Sequence, residues 1–414
     1  MKLVEQHIIS KQDPRYAAID AAAFASKNLY NAALYEIRQA FIHEDAYLNY
    51  NAMDKLMQPH EAYKALPAKV SQQVLKQLAD AWTSFFEALE AYKENPSKFL
   101  GHPKLPKYKH KTEGRNMLVY TIQAISKRGL KRGLVQPSML PIRVKTNQTS
   151  IDQVRIVPRN GYYIIEVVYE KDIVQADVHP ELCAGIDIGV NNLATITSNK
   201  VGFVPCIVNG RPVKSINQFY NKRRAALQKK LGTTGTTKRM ERLTNTRTRR
   251  IDHYLHTASR HIIDLLVEER IGTLIIGKNP EWKQEAHMGK RNNQHFVQIP
   301  HARFIEMLTY KAELIGITVK ITEESYTSKA SFLDCDILPA YDPEHKGKHI
   351  FSGKRVERGL YRAANGWYIN ADVNGSYNII RKAFPDAFQA EEIEGVVVHP
   401  TRITRVKQTK NVAQ

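Results

Sequence analysis

Cys183-Ala-Gly-Ile-Asp-Ile-Gly-Val-Asn-Asn-Leu-Ala-Thr-Ile196 is the stretch on which the reading of this chain turns. It predicts two short apolar strands, 183–190 and 193–198, joined by a tight turn at Asn191-Asn192. In the first strand Asp187 stands among Ile186, Ile188 and Val190, bracketed by Gly185 and Gly189. A carboxylate in so apolar a run is unfavourable unless something cationic meets it, and flanking glycines admit close approach of a backbone or a ligand. An edge strand with a solvated Asp would show the same pattern. We read Asp187 instead as a metal-binding acid on a central strand, for which the rest of the chain must supply partners.

The chain has 414 residues, enough for more than one domain. Its hydrophobic fraction of 43% allows a substantial core. No run of about 18 apolar residues and no signal-peptide core occurs, so neither membrane insertion nor export is expected. Cys183, Cys206 and Cys335 are far apart and form no CxxC pair, which argues against a disulfide framework and against a cysteine-built zinc site, and suits a reducing cytoplasm. Lys and Arg number 61 against 41 Asp and Glu, a net charge of +20 that points to a polyanionic partner. The surplus is concentrated: residues 98–132 carry ten Lys/Arg against Glu113 alone, and 222–250 carry eleven against Glu241 alone. Two such tracts suggest a nucleic-acid channel rather than a merely solvated surface. Candidate contacts are Lys104, Lys107, Lys109 and Lys111 in the first tract, and Lys222, Arg223, Arg224, Arg247, Arg249 and Arg250 in the second.

A strand over Met1–Ile9 precedes helical spacing over 15–42 and a clearer helix over 69–93, whose Val74, Leu78, Trp82, Phe85 and Leu89 form one stripe. From Asn95 prolines and lysines replace the helical pattern, giving an extended basic segment. A hairpin follows, Val154–Val157 and Tyr162–Tyr169 around Pro158-Arg-Asn-Gly161, with its tyrosines filling a small β-barrel. Residues 1–178 thus read as a β module (1–14 and 95–178) carrying a helical insertion (15–94). Beyond 179 the pattern gives a third strand over Val204–Val213, helices over 216–231 and 238–270, a buried strand Thr273-Leu-Ile-Ile276, a helix over 301–314 and a strand Val319–Thr322. Three leading strands followed by a β-helix-β unit match a mixed α/β sheet of the RNase H type. Ile369-Asn-Ala-Asp-Val-Asn-Gly-Ser-Tyr-Asn-Ile-Ile380 then places Asp372 in the first turn of a helix that can dock on that sheet. Acids in first turns are ordinarily capping residues; together with Asp187 in one fold, Asp372 gains meaning.

Phosphodiester cleavage by two metals needs several carboxylates around divalent ions about 4 Å apart, and hard Mg²⁺ suits such oxygen ligands. Asp187 and Asp372 supply two acids. The third usually follows the strand written here Leu274-Ile-Ile276, where this chain has Gly277-Lys278.

These residues carry a resemblance to the TnpB (OrfB) family, insertion-sequence-encoded, transposition-associated RNA-guided DNA endonucleases related to type V CRISPR effectors. Gly185-Ile-Asp-Ile-Gly-Val-Asn-Asn192 resembles its first RuvC motif and Asn370-Ala-Asp-Val-Asn-Gly375 its third. Further similar stretches are Ala68-Lys-Val-Ser-Gln-Gln-Val74, Pro103-Lys-Leu-Pro-Lys-Tyr108, Gln153-Val-Arg-Ile-Val-Pro158 and Glu323-Glu-Ser-Tyr-Thr-Ser-Lys-Ala-Ser-Phe332. The resemblance spans nearly the whole chain. It implies a wedge-like β-barrel module with a helical recognition lobe, then an RNase H-like RuvC nuclease domain over 179–332 and 366–390, with a basic tail over 391–414. It implies a two-metal Mg²⁺ site, a guide RNA from the transposon end, target double-stranded DNA, no membrane, and residence in a bacterial or archaeal cytoplasm at the nucleoid.

Two departures stand out. The cysteine zinc finger common in the family is missing, because 333–365 contains only Cys335; no zinc is expected, and Lys346, Lys348, Lys354, Arg355, Arg358 and Arg362 remain there for nucleic acid. The second-motif glutamate is replaced by Gly277. Glu324, which follows the strand 319–322, is the expected substitute and completes a catalytic, metal-binding set with Asp187 and Asp372; Lys329 lies in the site-lining stretch beside it. Glu323 should point the other way by strand alternation, and Glu281 and Glu285 are the other candidates. The competing readings are a nuclease-inactive RNA-guided repressor, suggested by Gly277, and a guide-independent DNA-binding transposition accessory.

Overall fold

The computed structural model describes residues 1–232, 234–279, 294, 297–340, 349–388, 393 and 397–403. Glu281, Glu285, Lys346, Lys348 and most of the 391–414 tail lie outside the described residues. The chain divides into two compact units, Met1–Lys171 and Asp172–Gln414. The division falls before 179 because the backbone N–H groups of Val174 and Ala176 donate to the carbonyls of Leu314 and Ile315, which ties this connection to the second unit.

In the first unit β1 (Lys2–Ser10) is followed by α1 (Tyr16–His43) and α2 (Ala68–Glu94), then by β2 (Leu118–Thr121), β3 (Gln153–Arg159) and β4 (Tyr162–Glu170). The strands form an antiparallel sheet in the order β1-β4-β3-β2, with a further two-stranded ladder, Leu134–Val135 against Val144–Lys145. Helices cover its apolar face: Ile19, Leu29 and Leu34 of α1, Val74, Leu78 and Trp82 of α2 and Val154, Ile156 and Ile165 of the sheet belong to one buried cluster. Removing that area from water is the main driving force for this unit. The basic extended segment is strapped along α1. Asn31 exchanges two hydrogen bonds with the Lys109 backbone, and Lys27 Nζ donates to the Lys111 carbonyl at 2.7 Å. Arg115 forks onto Asp20 of α1, which also accepts from the Tyr163 hydroxyl.

In the second unit β5 (His179–Asp187), β6 (Asn192–Ser198) and β7 (Cys206–Asn209) lead into α3 (Arg211–Leu231) and α4 (Lys238–Glu268). Then come β8 (Ile271–Gly277), α5 (His301–Glu313) and β9 (Thr318–Thr322), followed by three short strands, β10 (Lys354–Glu357), β11 (Leu360–Arg362) and β12 (Tyr368–Asn370). The last described elements are α6 (Ala371–Ala383) and β13 (Thr401–Ile403). The six-stranded sheet runs β9-β8-β5-β6-β7-β13; β6 is antiparallel to both β5 and β7, and β8 and β9 add in parallel to β5.

Two expected strands are trimmed. The first ends at Asp187 rather than 190, and the third spans four residues because Pro212 at the second position of α3 pre-sets the helical φ and starts it early. The tail supplies a strand that no apolar alternation announces: β13 pairs in parallel with β7 at the sheet edge. Residues 354–370 form an antiparallel three-stranded sheet around buried Tyr361, whose hydroxyl donates to the Lys329 carbonyl at 2.8 Å.

Strand alternation divides the main sheet into two faces. Ala184, Ile186, Leu274 and Ile276 join Leu255 and Ile262 of α4 and Phe304 and Leu308 of α5 in one buried cluster. Cys183 and Ile275 join Ile379 and Ile380 of α6, with Phe332 and Tyr361, in another. Gly185, Asp187 and Gly277 share this second face by register, so Asp187 faces the helix that begins with Ala371-Asp372.

No helix among the described residues is long and apolar enough to cross a membrane.

Candidate nuclease site

Parallel pairing of Ile276 with Ile186 brings the next residues, Gly277 and Asp187, side by side at the carboxyl ends of β8 and β5. Gly277 pairs in turn with Thr322, two residues before Glu324. Open α/β sheets bind ligands outside such strand ends. Asp372 arrives there from α6. Asn370 caps that helix by accepting from the Asp372 and Val373 amides, which frees the Asp372 carboxylate from capping.

Helix α6 lies so close to the sheet that β5 needs a glycine. A Cβ on Gly185 would come within 2.5 Å of the Ser376 carbonyl oxygen and 2.7 Å of Ile380 Cγ1. The Ser376 hydroxyl locks the contact by donating to the Gly185 and Thr195 carbonyls. Gly185→Ala is expected to destabilise the second unit by about 1–3 kcal/mol, because its nearest obstacle is backbone; a thermal melt against Gly185→Ser and wild type checks this.

Asp187 keeps part of its surface open to a cavity of about 450 Å³, lined also by Asn192, Arg211, Arg355, Arg358, Asp372 and Arg402. Low-dielectric protein surrounds the rest of its carboxyl. Burial, then the charges of Glu324 and Asp372, push its pKa up to about 8, and Arg355 offsets this only in part. Glu324 is pushed up to about 7, chiefly by burial and then by Glu323. Asp372 accepts a 2.6 Å bond from Asn192 Nδ2 and stands 3.8 Å from the Arg355 guanidinium.

Glu324 occupies the place that a side chain at 277 would take. A Cβ on Gly277 would meet Glu324 Oε2 at 2.8 Å and Ile379 Cδ1 at 2.6 Å. The backbone that delivers Glu324 is itself constrained: Tyr326, two residues on, has φ +68°, a region bulky residues avoid and which concentrates at functional turns. Glu323 turns elsewhere, into an ion pair with Lys382 that holds its pKa below the usual carboxylate range against the effect of burial.

Glu324 and Asp372 are thus each within electrostatic reach of Asp187. As placed, no three His, Cys, Asp or Glu side chains among the described residues converge into a metal-ligand group. Asp372 spends its charge on Asn192 and Arg355. The donor set nonetheless fits a hard divalent ion: three half-buried carboxylates, all-oxygen, beside a cleft whose arginines include Arg355 next to Asp372.

Of the cations singled out in the sequence, Lys104, Lys107, Lys111, Lys222, Arg223, Arg224, Arg250 and Lys329 are exposed. Lys109 is half-buried over the Tyr30 ring at 4.7 Å, with its pKa lowered by burial. Arg247 is structural in part: it donates to Asn217 Oδ1 and the Gln298 carbonyl and covers Tyr220. Arg249 is exposed on the same turn of α4. Asn192, Arg211 and Arg402 are cleft residues that sequence reasoning did not single out. Asn192 stood inside the quoted motif, but Arg402 reaches the cleft only through the β13 pairing.

Over residues 165–283 the chain matches the family model OrfB_IS605, described as a probable transposase, and over 301–379 that of a Cas12f1-like TNB domain. A TnpB-like protein, ORF457, of Acidianus two-tailed virus is 24% identical over 396 residues, covering 86% of this chain and 81% of that protein. The CRISPR-associated endodeoxyribonuclease Cas12f2 of a Micrarchaeota archaeon is 26% identical over 246 residues, which are 56% of this chain but only 42% of that protein. Among solved structures, a Cas12f1–sgRNA–target DNA complex shares the fold with a TM-score of 0.51, at 16% identity, over 87% of this chain and 81% of that one. Through these two segments, carried on this mixed sheet, the chain is similar to TnpB (OrfB) proteins, with Cas12f proteins also among its relatives.

Proposed function

We propose that the chain is an RNA-guided, Mg²⁺-dependent DNA endonuclease in which Asp187, Glu324 and Asp372 hold the metal ions. The observation that carries this reading is the mutual exclusion at β8. The acid missing at Gly277 is matched by a carboxylate, Glu324, whose Oε2 lies where a side chain on 277 would begin. A chain under no catalytic demand has no evident reason to keep two further carboxylates within electrostatic reach of Asp187, in protein surroundings that raise the pKa of Asp187 and Glu324.

Bound there, divalent ions would polarise the scissile phosphodiester and lower the pKa of an attacking water. The protein's part is to hold three oxygen donors on rigid elements. Asp187 sits on a central strand, Asp372 on a helix locked to that strand by Ser376, and Glu324 just beyond the edge strand β9, one strand further on. The cleft arginines Arg211, Arg355, Arg358 and Arg402 supply positive charge for phosphate. Exposed cations of the two basic tracts grip guide RNA and the guide–target hybrid through their backbones, leaving sequence choice to base pairing.

A nuclease-inactive RNA-guided binder is the second reading. It is favoured by Gly277 and by the engagement of Asp372 with Asn192 and Arg355. The test is to identify the RNA that co-purifies with the chain and offer a DNA duplex matched to it, with Mg²⁺ or with EDTA. The endonuclease reading expects cutting in Mg²⁺ alone. Tight RNA-dependent binding without cutting would establish the binder instead.

A further inference from the structure

A second cavity, of about 260 Å³, opens between α3 and α4, lined by Ile216, Phe219, Tyr220, Leu243, Arg247 and Arg250. Its size is below the roughly 300–1,000 Å³ of sites for drug-sized ligands, as suits one flat ring system. Its walls are apolar and aromatic and its rim is cationic. Phe219 is 55% exposed on α3, and the Arg223 guanidinium lies 5.8 Å from its ring. The rear wall is rigid: Tyr220 is buried with its hydroxyl bonded to Thr244, and Arg247 is fixed over Tyr220 by Asn217 and the Gln298 carbonyl.

Helix α3 connects this cavity to the acidic cleft. Arg211, its first residue, lines the cleft, and Ser215 and Phe219, four and eight residues on, line the second cavity. At 1.5 Å of rise per residue Phe219 stands about 12 Å from Arg211 along the helix, and steps of four keep these residues on neighbouring parts of one face. A single strand entering the cleft therefore has a cationic and aromatic track beside it, a few nucleotides long.

We infer that the Phe219 cavity takes one unstacked base of the DNA strand presented to the acidic cleft, with Phe219 as the stacking surface and Arg250 on the adjoining phosphate. Aromatic stacking tolerates any base, because every base has a π-face, and arginine adds cation–π attraction and phosphate contact. The charge surplus of the second basic tract, which flanks the cavity on both helices, fits a polyanionic occupant. This inference rests on the endonuclease reading for the identity of the strand, and assigns Phe219 as a positioning residue.

The test is binding of a labelled single-stranded DNA oligonucleotide to the full chain in EDTA, at a salt concentration that suppresses non-specific phosphate binding. Wild type, Phe219→Ala, Phe219→Tyr and Arg250→Gln are compared, with an abasic site moved along the oligonucleotide. Phe219→Ala is expected to weaken binding about 5- to 100-fold, and Phe219→Tyr to restore it. An abasic site at one position should reproduce the loss in wild type and add nothing in Phe219→Ala. Unchanged affinity in Phe219→Ala, or a flat abasic scan, overturns the inference. A loss confined to an oligoribonucleotide of the same sequence overturns its assignment to the DNA strand. Because the assay involves no cleavage, a wild type that binds in this manner but never cuts would refute the endonuclease reading alone.

Discussion

Glu324→Ala is expected to lower cleavage of a guide-matched duplex by about 10³-fold or more while leaving guide RNA binding intact. Losing one of three carboxylates around the divalent ions removes several kcal/mol of charge stabilisation, and each 1.36 kcal/mol is tenfold in rate. The sharper form of this prediction is a reciprocal exchange. Gly277→Glu alone places a Cβ 2.6 Å from Ile379 Cδ1 and 2.8 Å from Glu324 Oε2. It should therefore displace Glu324, cost about 1–3 kcal/mol of stability by overpacking, and depress cleavage. Combined with Glu324→Ala, the same substitution meets one obstacle fewer and returns an acid to the face of β8 beside Asp187. The double variant is expected to regain at least about tenfold over Glu324→Ala, since effects of contacting residues are not additive. If both single variants cut like wild type, Glu324 has no part in the chemistry.

Asp187→Asn should abolish cleavage to a similar degree and at the same time raise thermal stability in EDTA. The sign follows from linkage. Asp187 in the fold titrates near 8, well above the ordinary 3.8 of an aspartate. Between those values the unfolded chain has lost a proton that the folded chain retains, so stability falls as pH rises from about 4 to 8. Asparagine removes that ionisation. The gain is expected to be about 2–8 °C in Tm near pH 7.5 and to shrink towards pH 5, measured by differential scanning calorimetry. A variant that loses activity and stability together would mean that Asp187 is structural. The converse pattern is the usual cost of holding like charges at a functional site.

Both acids of the quoted motifs were legible because they break an apolar pattern: Asp187 interrupts a strand of isoleucines and valines, and Asp372 opens a helix that Asn370 already caps. In the structure the alternation of Cys183, Gly185 and Asp187 against Ala184 and Ile186 sets which face meets α6, since side chains in a strand have a period of two. The opposite direction of Glu323 follows from the same rule. What sequence could not give was depth and register. That Gly277 and Glu324 compete for one volume depends on the parallel pairing of Gly277 with Thr322. That Arg402 enters the cleft depends on a three-residue strand with no periodic signal. That α1 and α2 cover the sheet of the first unit was not legible either, because alternation shows that one face is buried without showing what buries it. Arg247 was read as a nucleic-acid contact on charge alone, yet its guanidinium is engaged with Asn217 and Gln298.

The most direct test of the three-carboxylate site is an anomalous difference map from crystals of the full chain with its guide RNA and an uncleavable target, soaked in Mn²⁺. Anomalous peaks bridging Asp187, Glu324 and Asp372 are expected, with Arg355 displaced from Asp372. Peaks held by Asp187 and Asp372 with a different third acid, or no peak between those two, would contradict the assignment.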